Sequence, residues 1–87
     1  MIEVVSIGVI NASIAHPREV FRRAIVEGAT SIFVAHNHPS NNPDPSDADI
    51  VITRKLREAG EIIGIKLVDH IIFTHTNYQS LRAISLL

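Results

Sequence analysis

The sequence predicts an α/β fold with an at least partly parallel sheet. Two patterns carry that prediction. Runs rich in β-branched residues recur at residues 2–10, at 31–35 and within 61–75, and stretches with apolar residues at helical spacing separate them. No internal repeat or low-complexity linker interrupts the 87 residues, so a single domain, 1–87, is expected. A chain of this length buries only about 60–65% of its unfolded surface, which limits the core.

The first run, "IEVVSIGVI" at 2–10, is apolar on both alternating faces, as in a strand covered on both sides. In "HPREVFRRAIVEGAT", Pro17 suits a first helical position, Val20, Phe21, Ala24 and Ile25 share a face, and Gly28 is a stop. "SIFVA" at 31–35 then reads as a central buried strand, followed by a polar loop over 36–45. A second helix is expected to begin at Ser46, with acidic residues in its first turn. Ala48, Ile52, Leu56 and Ala59 would lie on one face, and Gly60 after its end. "EIIGIKLVDHIIFTH" supplies one or two strands broken near Gly64 to Lys66, and "YQSLRAISLL" a last helical turn or strand.

Composition narrows the function classes. With 46% hydrophobic and 20% charged residues the chain has the balance of a globular protein, not a disordered one. The net charge is −1 and the basic residues are scattered along the helical stretches, so direct nucleic-acid binding by this domain is not expected. There is no cysteine, which excludes disulfides and thiolate metal sites. Neither a signal-peptide pattern nor an apolar run approaching the ~20 residues of a membrane span is present, and the cytoplasm is the simplest compartment.

The chemistry is concentrated in "VAHNHPSNNPDPSDAD", residues 34–49. In extended backbone His36 and His38 point the same way, so both imidazoles can converge on one point. Asp49 lies eleven residues beyond His38 and three after Ser46, in the first turn of the second helix if Ser46 is its N-cap. Pro39, Pro43 and Pro45 stiffen the connection. Two imidazoles and a carboxylate suit Zn²⁺ and leave a fourth position for a water, whose pKa zinc can lower to about 7. Hydrolysis would also need a general base and an oxyanion donor, for which Glu3 and Ser46 are the candidates.

Other readings of the same residues stand beside these. Ser46 with Asp49 equally fits a capping box, and Asp47 and Asp49 suit a helix N-terminus electrostatically. Glu3 alone reads as a charged residue at a strand start. Two histidines and one carboxylate also make the facial triad of non-haem iron. His16 reads as the entry to the first helix and His75 as a surface residue. Either Asp69 or His70 orients a ligand, or both belong to an edge strand.

His36-Asn37-His38, seven residues, Ser46, two residues, Asp49 resembles the His-x-His-x7-Ser-x2-Asp signature of the JAMM (MPN+, JAB) metalloprotease family. "NASIAHPREVFRRAI", "AHNHPSNNPDPS" and "LREAGEIIGIKLVDHIIF" resemble its RadC branch over nearly the whole chain. The resemblance implies a cytidine deaminase-like fold, a mixed β-sheet flanked by helices. It further implies zinc held by His36, His38, Asp49 and a water, with Ser46 bonding the oxyanion and Glu3 as general base.

RadC proteins carry an upstream strand and a helix-hairpin-helix region that this segment is expected to lack. The first strand's edge would then be open for a homodimer. Asn41-Asn42 replaces a glycine-containing pair, and asparagine accepts left-handed backbone. The implied activity is that of a zinc metallopeptidase or isopeptidase with a peptide or protein substrate. The alternative is a metal-stabilised interaction module of a DNA repair-associated protein, without catalysis.

Overall fold

The computed structural model describes residues 3–12 and 14–87; Ile2 of the expected first strand lies outside them. The elements are β1 (Val5–Val9), α1 (Pro17–Val26), β2 (Ser31–Asn37), α2 (Asp47–Ile63), β3 (Lys66–Phe73) and β4 (Tyr78–Ser80). The sheet order is β1-β2-β3-β4, with β1, β2 and β3 parallel and β4 antiparallel to β3. This is the α/β architecture with a mixed sheet that the sequence predicts.

Both crossovers step one strand in the same direction, and their right-handedness puts both helices on the same face. Accordingly α1 and α2 touch each other. Between them and the sheet lies the core, where Phe21, Ala24, Ile32, Val34, Leu56 and Leu67 are buried. Nothing of the described chain covers the opposite face of β1. Ser6, on the helix side, is buried, but Ile7 and Val9 are 67% and 74% exposed, so β1 is an edge strand covered on one side, not two. Its even apolarity reads as a strand covered on both faces because hydropathy alone does not reveal which neighbours are present.

Helix α1 begins as its sequence suggests, with Pro17 after the N-cap His16, whose Nδ1 accepts the Arg18 N–H at 3.0 Å. It stops at Gly28, which takes φ 67°. Helix α2 departs from expectation at its far end. It runs through Gly60 to Ile63 and is capped by Gly64 at φ 85°. A Cβ on Gly60 would strike the Ile65 carbonyl oxygen and come within 3.3 Å of the Phe21 ring, so this glycine is a point of close approach within the helix. Residues 61–63 are therefore helical, and one strand, β3, follows, within the one or two expected.

The tail forms β4 and a turn held by Asp69. That carboxylate accepts the N–H groups of His70 at 2.7 Å and Arg82 at 3.0 Å, and the Ser80 hydroxyl. Among the described residues no helix is long and apolar enough to cross a membrane.

Gly60→Ala tests the packing account. In an exposed helix the change would stabilise by about 1 kcal/mol. Here the collision with backbone should outweigh that gain and lower the urea midpoint, with a net cost of about 1–3 kcal/mol. A raised midpoint would contradict the close approach.

Candidate metal centre

The C-terminal end of β2 meets the N-terminus of α2, and the polar cluster forms where they meet. His36 lies in β2, and His38 keeps the strand direction because its N–H bonds the Phe73 carbonyl at 2.9 Å. The two rings therefore project to one side, edge to face, with centroids 4.8 Å apart. From the helix, Asp49 reaches both: Oδ1 is 2.7 Å from His36 Nδ1 and Oδ2 is 2.9 Å from His38 Nε2. The carboxylate is fully buried, whereas the His36 and His38 side chains keep 16% and 15% exposure.

Ser46 sets where α2 starts. Its Oγ accepts the Asp49 N–H at 3.1 Å and its own N–H donates to Asp49 Oδ2 at 2.7 Å, a reciprocal capping box. The capping reading and the site reading thus describe one arrangement. Burial alone would raise the Asp49 pKa, but the Ser46 backbone N–H and hydroxyl, with His36 and His38, outweigh it and hold the carboxyl below its ordinary value. Because Ser46 Oγ serves the cap as an acceptor, its hydroxyl hydrogen remains able to donate outward.

Beneath this pair lies His70, which is fully buried. The parallel register sets it opposite Val34, two pairs below His36 and so on the same face, the one that meets α2. Thr53, one turn after Asp49, donates its hydroxyl to the Asp49 carbonyl at 2.6 Å and lies 2.6 Å from His70 Nδ1. With its hydrogen so used, Thr53 Oγ1 can only accept, so His70 carries its proton on Nδ1. Burial pushes the His70 pKa down to about 4, with the Asp49 charge opposing the fall.

The donor set fits a divalent cation. One ligand atom from each of His36, Asp49 and His70 lies within 4.8 Å of the others. His38 Nδ1 is 3.0 Å from the Asn42 carbonyl, which can only accept, while its Nε2 faces a carboxylate. His38 thus gives Nδ1 to the Asn42 carbonyl and turns Nε2 toward the carboxylate, where a cation would take the place of a proton. The bond to Asn42 is the kind of outer contact that orients a ligating imidazole. Beside His38 runs an open groove of about 600 Å³ lined by Asn37, His38, Pro39, Phe73, Thr74 and His75.

His36, His38, Ser46 and Asp49 are thus brought together, and Glu3 is not. Residue 5 pairs with residue 31 and the Thr30 N–H bonds the Val4 carbonyl, which puts Glu3 at the start of the parallel strands. The histidines are at their ends, roughly 20 Å away at ~3.3 Å per residue. Glu3 is exposed there, outside hydrogen-bond reach of the cluster within this chain, where a general base would have to lie. His16 is the helix cap and His75 is exposed, as read from the sequence. Asp69 faces the tail while His70 faces the cluster, because neighbours in a strand point to opposite faces. Thr53 was not a candidate from sequence; its signal is a polar residue at i+4 from Asp49 on the inward face of an amphipathic helix.

In chelator-treated protein the buried neutral His70 should make stability pH-dependent. Its folded pKa lies below the ordinary 6.5, so the unfolded chain takes the proton first. Stability is then full above pH 6.5 and falls by roughly 3 kcal/mol by pH 4. Urea midpoints across that window should slope steeply in the wild type and flatten in His70→Gln.

A family model described as "RadC-like JAB domain" matches residues 1–86. The chain is 54% identical over 80 residues to a UPF0758 protein of Methanosarcina mazei, covering 92% of this chain and 35% of that protein. It is 56% identical over 81 residues to one of Alkaliphilus oremlandii, covering 93% and 35%. For one of Methanospirillum hungatei the figures are 51% over 83 residues, 95% and 37%. The chain thus spans about a third of the length of the curated relatives it matches. A match over nearly every residue, together with relatives at this identity, shows that the chain belongs to the RadC-like JAB domain family.

Proposed function

We propose that this domain is a zinc-dependent hydrolase of peptide or isopeptide bonds, working in the cytoplasm. The observation that carries the reading is the convergence of His36, His38 and Asp49 beside the Ser46 hydroxyl. Zinc held there would supply Lewis acidity and bring the pKa of a water at its open position to about 7.

The chain's own residues do the rest. His38 is oriented by the Asn42 carbonyl and Asp49 by the Ser46 N–H, so the ligands are set by the backbone of the loop and helix start. An extended peptide laid in the groove beside His38 would bring its carbonyl to the cluster. There Ser46, already accepting from Asp49 N, donates its hydroxyl hydrogen to the oxygen on which charge develops. Glu3, at the far end of β1, is out of reach of the attacking water within this chain.

That last point favours a second reading, a metal-stabilised interaction module without catalysis, whose partner pairs with the open edge of β1. The exposed Val5, Ile7 and Val9 supply an apolar face beside that edge. On the same edge we place self-association as a homodimer. Sedimentation at micromolar concentration should show it, and Ile7→Lys should disperse it; a wild-type monomer overturns it.

Metal analysis and turnover separate the two readings. Purified protein should hold about one zinc, and His36→Ala, His38→Ala and Asp49→Ala should each lose it; stoichiometric zinc in all three overturns the ligand set. Ser46→Ala should keep zinc, lose about 1 kcal/mol of stability with the cap, and lower kcat roughly 10²–10³-fold. Glu3→Gln should leave turnover unchanged. Zinc-loaded protein that hydrolyses no acyl or isopeptide substrate yet binds a partner would establish the second reading instead.

A further inference from the structure

His70 lies in the donor cluster described above but has no part in the hydrolytic reading, and its chemistry is the least satisfied there. Among the described residues, its Nε2 is the buried side-chain polar atom without a hydrogen-bond partner. Its identity as a bare lone pair follows from its neighbours: Thr53 gives its hydrogen to the Asp49 carbonyl and so fixes the His70 proton on Nδ1. A leucine or methionine in this place would pack as well and leave nothing unpaired. Burying an unprotonated imidazole nitrogen beside a carboxylate makes sense only if an electron-pair acceptor sits next to it.

The surroundings identify that acceptor. One ligand atom each from His36, Asp49 and His70 lies within 4.8 Å of the others. Donors around a tetrahedral zinc at 2.0–2.1 Å are roughly 3.3 Å apart, so a small side-chain rotation closes the difference. The His36 and His70 rings stand 6.3 Å apart, centroid to centroid, tilted by 38°. An outer-shell histidine would instead offer an N–H to a ligating carboxylate, and the Thr53 bond denies His70 that hydrogen on the Nε2 side.

We propose that His70 is a fourth protein ligand, so that the centre is a three-histidine, one-aspartate set for a divalent transition metal. His70 closes its buried side, while the partly exposed side chains of His36 and His38 leave the solvent side open. Zinc accepts a fifth ligand, and iron(II) suits the same donors. Thr53 acts through His70 as a positioning residue. The proposal rests on the metal-centre reading but not on hydrolysis.

Loading the unaltered chain with cadmium-113 tests it by NMR without any assay of activity, because scalar coupling to an imidazole appears only through a direct bond. Coupling is expected at His36, His38 and His70. Coupling at His36 and His38 without His70 overturns the proposal and leaves the metal centre standing. Failure of the unaltered chain to bind cadmium or zinc overturns the metal-centre reading and this proposal with it.

Zinc affinity, read by competition with a chromophoric chelator, gives the second measurement. His70→Gln should weaken binding by more than the roughly 10–100-fold that loss of an outer-shell partner costs. A change under tenfold overturns the assignment, and if that variant does not fold the cadmium coupling decides alone. Thr53→Val should keep the His70 coupling while weakening affinity, as expected when the tautomer is no longer held.

Discussion

Asp49 is a fully buried carboxylate near the N-terminus of a helix, and the arrangement of the whole site depends on how it is satisfied. An isolated buried charge of this kind is very costly. Here the Ser46 N–H, two imidazole nitrogens and the positive end of the α2 dipole all face it. Each of these comes from a different local feature: the cap, the end of β2, the residue after it, and the helix itself. Remove the carboxylate and the loop, helix start and strand end lose their common point of attachment.

The loop between His38 and Ser46 follows from that requirement. Strand β2 must deliver two imidazoles to the place where α2 begins, and the chain must cross between them without folding into the gap. Asn42 does two jobs in the crossing: its carbonyl holds His38 Nδ1 and its side chain accepts the Asp44 N–H at 3.0 Å. Prolines at 43 and 45 restrict the backbone between those anchors and Ser46. The polar density of this stretch is therefore mostly internal bonding, with the outward hydroxyl of Ser46 and the imidazole edges left to meet a ligand.

Legibility in the sequence tracked locality. The motif residues were readable because each uses a short-range rule: period two in a strand for His36 and His38, and a cap spacing of three for Ser46 and Asp49. The entry to α1 at His16 and Pro17 was readable for the same reason. What was not readable depended on pairing between distant segments. Gly60 looks like a stop until Ile65 is seen packed against it. Glu3 matches a motif by its order along the chain, but the parallel register of β1 and β2 puts it at the wrong end of the sheet. His70 and Asp69 cannot be told apart until the register of β3 assigns each its face.

The polar layer under α2 bears on what kind of domain this is. Asp49, Thr53 and His70, each at most 1% exposed, occupy three buried positions between the sheet and the helix. Apolar residues there would extend the contact of Ile52 and Leu56 with β2 and β3 and require no hydrogen-bond partners. Buried polar groups cost stability unless each is partnered, so a layer of them is retained where it has a use. Thr53 satisfies its own hydroxyl through the Asp49 carbonyl and, by doing so, determines the tautomer of His70. The layer is thus ordered from the helix inward, and its one unmet atom lies beside His36 and Asp49 rather than against the apolar core.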